Sequence, residues 1–314
     1  MIGKDAEGAE DAEAQRVTGV QSIDCRAGDE IGRKARLELV FSVRGGRTVL
    51  THGYAEPPFR IGAMLPDCHG ARMILAWSAP GVFGGDCLEQ RMRVERGASV
   101  TIASQSALQA HPSPGGAIAR MRTIVEVEEE AELRCDWDPL IPFSGARLSQ
   151  RYEVRLAPAA TLYWSDAFMS GREGRGERWA FETLEHELAV SCGGTLAYLE
   201  RYRLEPGTQP LTAPWVAADC CYFGTILARF RSNASDASSS EAGLRSNVTD
   251  ASCGEAGRNA VQAPDSLQQE LSSFDGLRGA VDTLDPCLKL VRLMASRGTP
   301  FHDARALVRR RLCA

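Results

Sequence analysis

The chain has 314 residues, 44% of them hydrophobic and 25% charged, with a net charge of −5 at neutral pH. That is ample apolar chain for a core, in one large domain or two small ones. The acidic balance argues against nucleic acid as a main partner, and no apolar run reaches membrane-spanning length. Residues 1–30 open with Asp5, Glu7, Glu10, Asp11 and Glu13 among alanines and glycines. This composition predicts a disordered acidic tail and is the opposite of a cationic signal-peptide start, so the expected compartment is the cytoplasm, with no membrane partner.

Residues 31–230 read as a β-rich body. Arg36 to Leu50 forms a predicted hairpin: Leu37, Leu39 and Phe41 alternate with polar neighbours, Gly45-Gly46 turn, and Thr48-Val49-Leu50 return. Arg72–Trp77, Leu88–Val94, Ser99–Ala103, Ile124–Val127 and Tyr152–Leu156 continue as short strands, mostly with a two-residue period. Leu184–Val190 and Thr195–Leu204 read as a second hairpin across Cys192-Gly193-Gly194. Short strands recurring about every ten residues predict an all-β body, its strands stacked as two sheets or as a solenoid-like coil.

Residues 231–263 differ in kind. RSNASDASSSEAGL is followed by RSNVTDASCGEAGR, an imperfect tandem duplication too polar to form a core and expected to be a disordered insertion. Residues 264–314 then read as a helical segment. Leu267, Leu271, Phe274 and Leu277 recur at three or four residues. Asp285-Pro286 reads as a helix start, with Leu288, Val291, Leu293 and Met294 on its apolar side and Gly298-Thr299-Pro300 as its end. Asp303 to Leu312 forms a last predicted helix with a basic end, Arg309-Arg310-Arg311.

Ten cysteines occur without a C-x-x-C pair or a zinc-type cluster, and most read as small buried hydrophobes. There is no G-x-S-x-G elbow and no Gly-rich loop ending in Gly-Lys-Ser/Thr, so neither a serine nucleophile nor a P-loop is supported. The segment LYWSDAFMSGREGRGERWAF, residues 162–181, carries the strongest local signal. Two apolar runs, Leu162–Trp164 and Trp179–Phe181, flank a charged, glycine-shaped connection of the kind on which function often sits.

Four blocks carry a family resemblance. Ala79-Pro80-Gly81-Val82-Phe83-Gly84-Gly85-Asp86-Cys87-Leu88 resembles a GG…GGD-x-L block, with Ala79-Pro80-Gly81 where the family has its double glycine. Ala103-Ser104-Gln105-Ser106-Ala107 resembles a TTQSA block. Asp138 to Gln150, with Ile141-Pro142-Phe143 inside it, resembles P-x-x-IPF-x-x-x-x-x-Q, and Gly171 to Glu177 resembles GR-x-x-x-GE. In this order the blocks resemble the urease accessory protein family UreD, also called UreH, over roughly Arg33 to Phe230, with a weaker echo in Leu288–Arg292. The resemblance implies an elongated, helically stacked β fold, so the expected class is mostly β, solenoid-like stacked antiparallel or mixed sheets, followed by the small C-terminal helical segment read above. It also implies a non-catalytic chaperone that scaffolds nickel delivery to apo-urease. Such a protein joins UreF and UreG, leaves the GTPase to UreG, contacts the urease apoprotein, and holds no tight cofactor, only nickel in transit.

Asp86, Asp166, Glu177 and His111 are the candidate transient nickel contacts, being hard or borderline ligands suited to a divalent transition ion and too scattered to form a finished site. Leu288, Val291, Arg292, Met294 and Leu307 are the candidate partner contacts, on an apolar helical stripe with a basic end. A competing reading is a carbohydrate-active β enzyme with Asp166 and Glu177 as its carboxylate pair and Trp164 and Trp179 stacking on sugar.

Overall fold

The computed structural model describes residues 32–67, 70–231 and 266–313. The tail at 1–30 and nearly all of the low-complexity stretch at 231–263 lie outside the described residues. In chain order the strands are β1 (Lys34–Arg44), β2 (Arg47–Ala55), β3 (Phe59–Asp67), β4 (Gly70–Trp77), β5 (Cys87–Val94), β6 (Ser99–Ser104), β7 (Gln109–Ala110), β8 (Ala119–Val127), β9 (Glu132–Asp136), β10 (Ile141–Pro142), β11 (Arg147–Leu156), β12 (Thr161–Met169), β13 (Thr183–Cys192), β14 (Thr195–Leu204) and β15 (Tyr222–Arg229). Helix α1 (Ser266–Leu271), β16 (Leu277–Asp285), β17 (Leu288–Ala295) and helix α2 (Gly298–Leu312) complete the fold.

The strands make a seven-stranded sheet, ordered β14-β13-β11-β8-β5-β1-β2, and an eight-stranded sheet, ordered β16-β17-β15-β12-β9-β6-β4-β3. From β4 to β13 the chain alternates between the two, laying each new strand parallel to the last one in its sheet, β5-β8-β11-β13 in one and β4-β6-β9-β12 in the other. This is the expected coil-like mixed-sheet body. Antiparallel hairpins close its flanks, among them the predicted β1–β2 and β13–β14 pairs. Inward residues alternate as a half-buried strand requires: Leu88, Met92 and Val94, or Leu184, Leu188 and Val190, are all at most 2% exposed.

The coil has two unlike ends. At one, tight turns at 95–98, 128–131 and 157–160 join β5 to β6, β8 to β9 and β11 to β12. Each closes on an alanine whose N–H donates back three residues: Ala98 to Glu95, Ala131 to Glu128, Ala160 to Ala157. The three alanines stack in the core at 0% exposure. The opposite end carries the long connections 78–86, 105–118, 137–146 and 170–182.

The C-terminal segment departs from expectation. Residues 277–295 form the β16–β17 hairpin, not a helix begun at Asp285-Pro286. Cys287 N–H donates to Asp285 Oδ1 at 2.7 Å, so the Asp-Pro pair makes the turn. The helical spacing misled because β17 is buried on both faces. Leu288 and Leu290 enter the inter-sheet core, while Val291, Leu293 and Ala295 enter a second cluster under α1 and α2. A doubly buried strand reads as a continuous apolar run, which periodicity cannot separate from a helix. Gly298-Thr299-Pro300 opens α2 rather than ending a helix, with proline in the first turn, where its missing N–H costs nothing. Likewise Trp179–Phe181 is not a strand: Trp179 has φ +52°, and β13 begins at Thr183.

Helix α2 is stapled to the eight-stranded sheet by Arg305, 7% exposed, which donates to Ser165 Oγ, Asp136 Oδ1 and the Trp137 carbonyl, while Arg309 takes Asp136 Oδ2. Among the described residues, no helix is long and apolar enough to cross a membrane.

Candidate functional site

All four sequence blocks fall in or beside the long connections at one end of the coil, one block to each. These connections hydrogen-bond to one another as a further layer. Val82 N–H donates to the Gln109 carbonyl and His111 N–H to that of Val82; Ile141 and Phe143 N–H groups reach the Leu108 and Ala110 carbonyls; Met169 N–H reaches that of Leu140. The short strands β7 and β10 belong to this ladder. Close stacking explains Gly81: at φ +151° a Cβ there would lie 2.1 Å from the Gln109 carbonyl oxygen. Gly171 is held alike, with its Cβ position 2.3 Å from the Glu177 carbonyl oxygen.

Val82, Ala110 and Pro142 pair across the ladder, so the next residues, Phe83, His111 and Phe143, occupy equivalent rungs. Their rings form a column. Phe83 stacks on His111 at 4.4 Å and 6°, and His111 meets Phe143 edge-on at 4.8 Å. An arginine caps each end: Arg33 lies 5.3 Å from the Phe83 centroid and Arg172 3.9 Å from that of Phe143. Each arginine holds a carboxylate, Arg33 that of Asp86 and Arg172 that of Glu177.

Asp86 is 2% exposed and accepts from the backbone N–H groups of Arg33 and Phe83 at 2.9 Å each. Burial disfavours its charge, but Arg33 and the two backbone donors outweigh burial and hold its carboxyl below the usual carboxylate range. Glu177 is also held low, first by Arg172, whose Nε donates at 2.8 Å, with the Ser144 N–H adding a donor. The same connection is anchored at Glu173, whose carboxylate accepts from the Cys221 thiol at 2.7 Å. Burial and that carboxylate push the Cys221 thiol up to about 12, so at neutral pH it is a proton donor and not a nucleophile.

Beneath the ladder a cavity opens between the sheets. The seven-stranded sheet contributes Gln90, Thr123, Gln150 and His186 at inward positions on two successive inward rungs, Gln90 pairing with Thr123 across β5 and β8 and Gln150 with His186 across β11 and β13. Asp166 and Asp138 face them from the other side. His186, 6% exposed, stacks on Tyr202 at 4.8 Å and 9°, with Tyr152 5.5 Å away. Its Nε2 lies 3.8 Å from Asp166 Oδ2 and has no hydrogen-bond partner among the described residues. Asp166 also accepts from the Trp164 indole N–H at 3.1 Å. Burial first, then the Asp166 carboxylate, pushes the Tyr152 and Tyr202 phenols far up, so both stay neutral.

The structure therefore gathers three candidates about one column, His111 within it and Asp86 and Glu177 on the arginines that cap its ends, and places Asp166 apart, in the cavity. The carboxylate pair of the carbohydrate-enzyme reading is not assembled: Glu177 is engaged by Arg172 on the surface connection and does not line the cavity that Asp166 faces. Among the described residues, no three His, Cys, Asp or Glu side chains converge as a metal cluster. Of the four candidate residues, Asp166 is the one with a buried histidine beside it, His186. Sequence reasoning missed His186, although its inward parity between Leu184 and Leu188 marks it as a polar group facing the core. Of the partner candidates, Leu288 and Val291 are 1% and 0% exposed and offer no surface, because each packs in a core cluster. Arg292 is exposed, and Met294 and Leu307 are half-buried.

The family model for the UreD urease accessory protein matches residues 33–314. The chain belongs to the UreD family. A urease accessory protein UreD of Sorangium cellulosum is 37% identical over 177 residues, covering 56% of this chain and 55% of that relative. UreD of Deinococcus radiodurans is 32% identical over 195 residues, covering 62% of this chain and 69% of the relative, and UreD of Lysinibacillus sphaericus is 28% identical over 201 residues, covering 63% and 74%. The alignment thus spans about half the length of the Sorangium relative.

Proposed function

We propose that this UreD family member is a non-catalytic chaperone that scaffolds nickel delivery to apo-urease in the cytoplasm, together with UreF and the GTPase UreG. The observation that carries this reading is the family match through residues 33–314, whose four sequence blocks gather at one end of the coil over a polar cavity. Nickel is cargo, bound weakly enough to leave. Asp166 and His186 offer it a carboxylate and an imidazole nitrogen that lacks a hydrogen-bond partner among the described residues. Asp86 and Glu177 act as passing contacts only by exchanging an arginine for the ion, and His111 lies between them on the column. Arg292, Met294 and Leu307 are the accessible part of the partner surface.

The test is co-expression of urease with its accessory proteins and either this chain or an Asp166→Asn/His186→Gln double variant. The expected outcome is a variant that stays soluble and co-purifies with UreF and UreG, while urease loses nickel content and activity several-fold. Full nickel loading by the variant would remove these two residues from the route. Failure of the unaltered chain to co-purify with UreF or to support activation would overturn the function itself.

A further inference from the structure

A second cleft lies on the outer face of the eight-stranded sheet, away from the sequence blocks, where α2 ends. Its polar lining is Glu132, Arg134, Thr161, Tyr163, Arg229 and Arg231, and Leu312 and Cys313 close one side. Register builds it: Thr161 pairs with Glu132 and Tyr163 with Arg134, so alternate residues of β9 and β12 share this face. Among the described lining residues three guanidinium groups stand against one carboxylate, and the nearby Asp136 carboxylate is engaged by Arg305 and Arg309. Arg134, 6% exposed, pairs with Glu132. Arg229 donates to the Ala160 and Pro158 carbonyls and Arg231 to that of Glu130, contacts that orient the guanidinium groups without neutralising them.

Two hydroxyls in this lining, Thr161 Oγ1 and Tyr163 OH, are buried with no hydrogen-bond partner among the described residues, and Tyr163 is 3% exposed. Buried polar atoms are nearly always satisfied, so unpartnered hydroxyls beside excess positive charge call for an acceptor. Burial first, and after it the Asp136 carboxylate that Arg305 and Arg309 hold, keeps the Tyr163 phenol far above its ordinary range against the opposing Arg305 and Ser165, so it remains a donor. A group with several oxygens and a negative charge accepts from both hydroxyls and balances the guanidinium groups at once.

We propose that this cleft binds a small oxyanion, phosphate or carboxylate, between β9, β12 and the end of α2. The inference is independent of the nickel-delivery reading. Isothermal titration of the intact protein with inorganic phosphate, and separately with acetate, at ionic strength matched by sodium chloride, tests it. Saturable binding of either supports the site; phosphate alone assigns tetrahedral chemistry, and acetate as tight as phosphate assigns a carboxylate. A Thr161→Val/Tyr163→Phe double variant, which removes the two hydroxyl groups and keeps the charge, should weaken binding by about tenfold or more. A folded double variant that binds with unchanged affinity overturns the site, as does absence of saturable binding of both anions to the unaltered protein. If the double variant does not fold, Arg231→Gln at the rim serves instead, with the same weakening expected and unchanged affinity counting against the site.

Discussion

The two ends of the coil are built on the same pitch and filled with opposite materials. At the tight-turn end, equivalent positions hold Ala98, Ala131 and Ala160, small, buried and closed on their own turns. At the other, equivalent positions hold Phe83, His111 and Phe143, a column capped by arginine–carboxylate pairs over a polar cavity. A repeating coil stacks whatever occupies a given rung. One end therefore spends its repeats on packing density, while the other gathers chemistry from four segments distant in sequence.

The sharpest break in that contrast is Ala131→Asp. An unpaired carboxylate in a close-packed alanine stack should cost about 4 kcal/mol or more, and the thermal midpoint should fall steeply or the protein become insoluble. A variant that melts normally would mean the turn end is not a packed core. Asp86→Asn, at the opposite end, should cost about 2 kcal/mol, discounted because Arg33 is partly exposed. Its sign with pH is fixed by the depressed carboxyl. The stabilisation is present above the unfolded-state value near pH ~3.9 and is lost as pH falls through the lower folded value, so the gap between native protein and variant should close in acid. Denaturant titrations at neutral pH and below about pH 4 measure that gap, and a constant gap would rule out the pair as its source. The smallest effect is expected for His111→Ala. It removes one ring from a partly exposed column and should cost about 1 kcal/mol, leaving circular dichroism unchanged. A loss as large as that of Ala131→Asp would erase the distinction between the two ends.

Much of this architecture was legible in the sequence, because half-buried strands write their parity directly: Leu37, Leu39 and Phe41 alternate as read and point inward, and the strand read at Leu184–Val190 turns Leu184, Leu188 and Val190 the same way. The β17 strand was not legible, since burial on both faces removes the alternation and leaves spacings that suit a helix equally. The site was legible in pieces. The blocks could be singled out, and both members of the Arg172–Glu177 pair lie inside one of them. That Phe83, His111 and Phe143 occupy one column depends on loop register, which no local pattern encodes. His186 was hidden for a related reason: one histidine at an inward position is informative only once the cavity it faces is known.

The position of β17 also has a consequence for synthesis. It lies between β15 and β16, and α2 behind it fastens through Arg305 to Asp136, 169 residues earlier. The coil from β4 to β13 can wind as the ribosome delivers it, but β15 keeps an open edge, and its outer face stays bare, until residues 288–312 arrive. A chain that stalls within that interval is expected to expose the unpaired edge of β15, so release of residues 288–312 late in synthesis should be the step most exposed to aggregation.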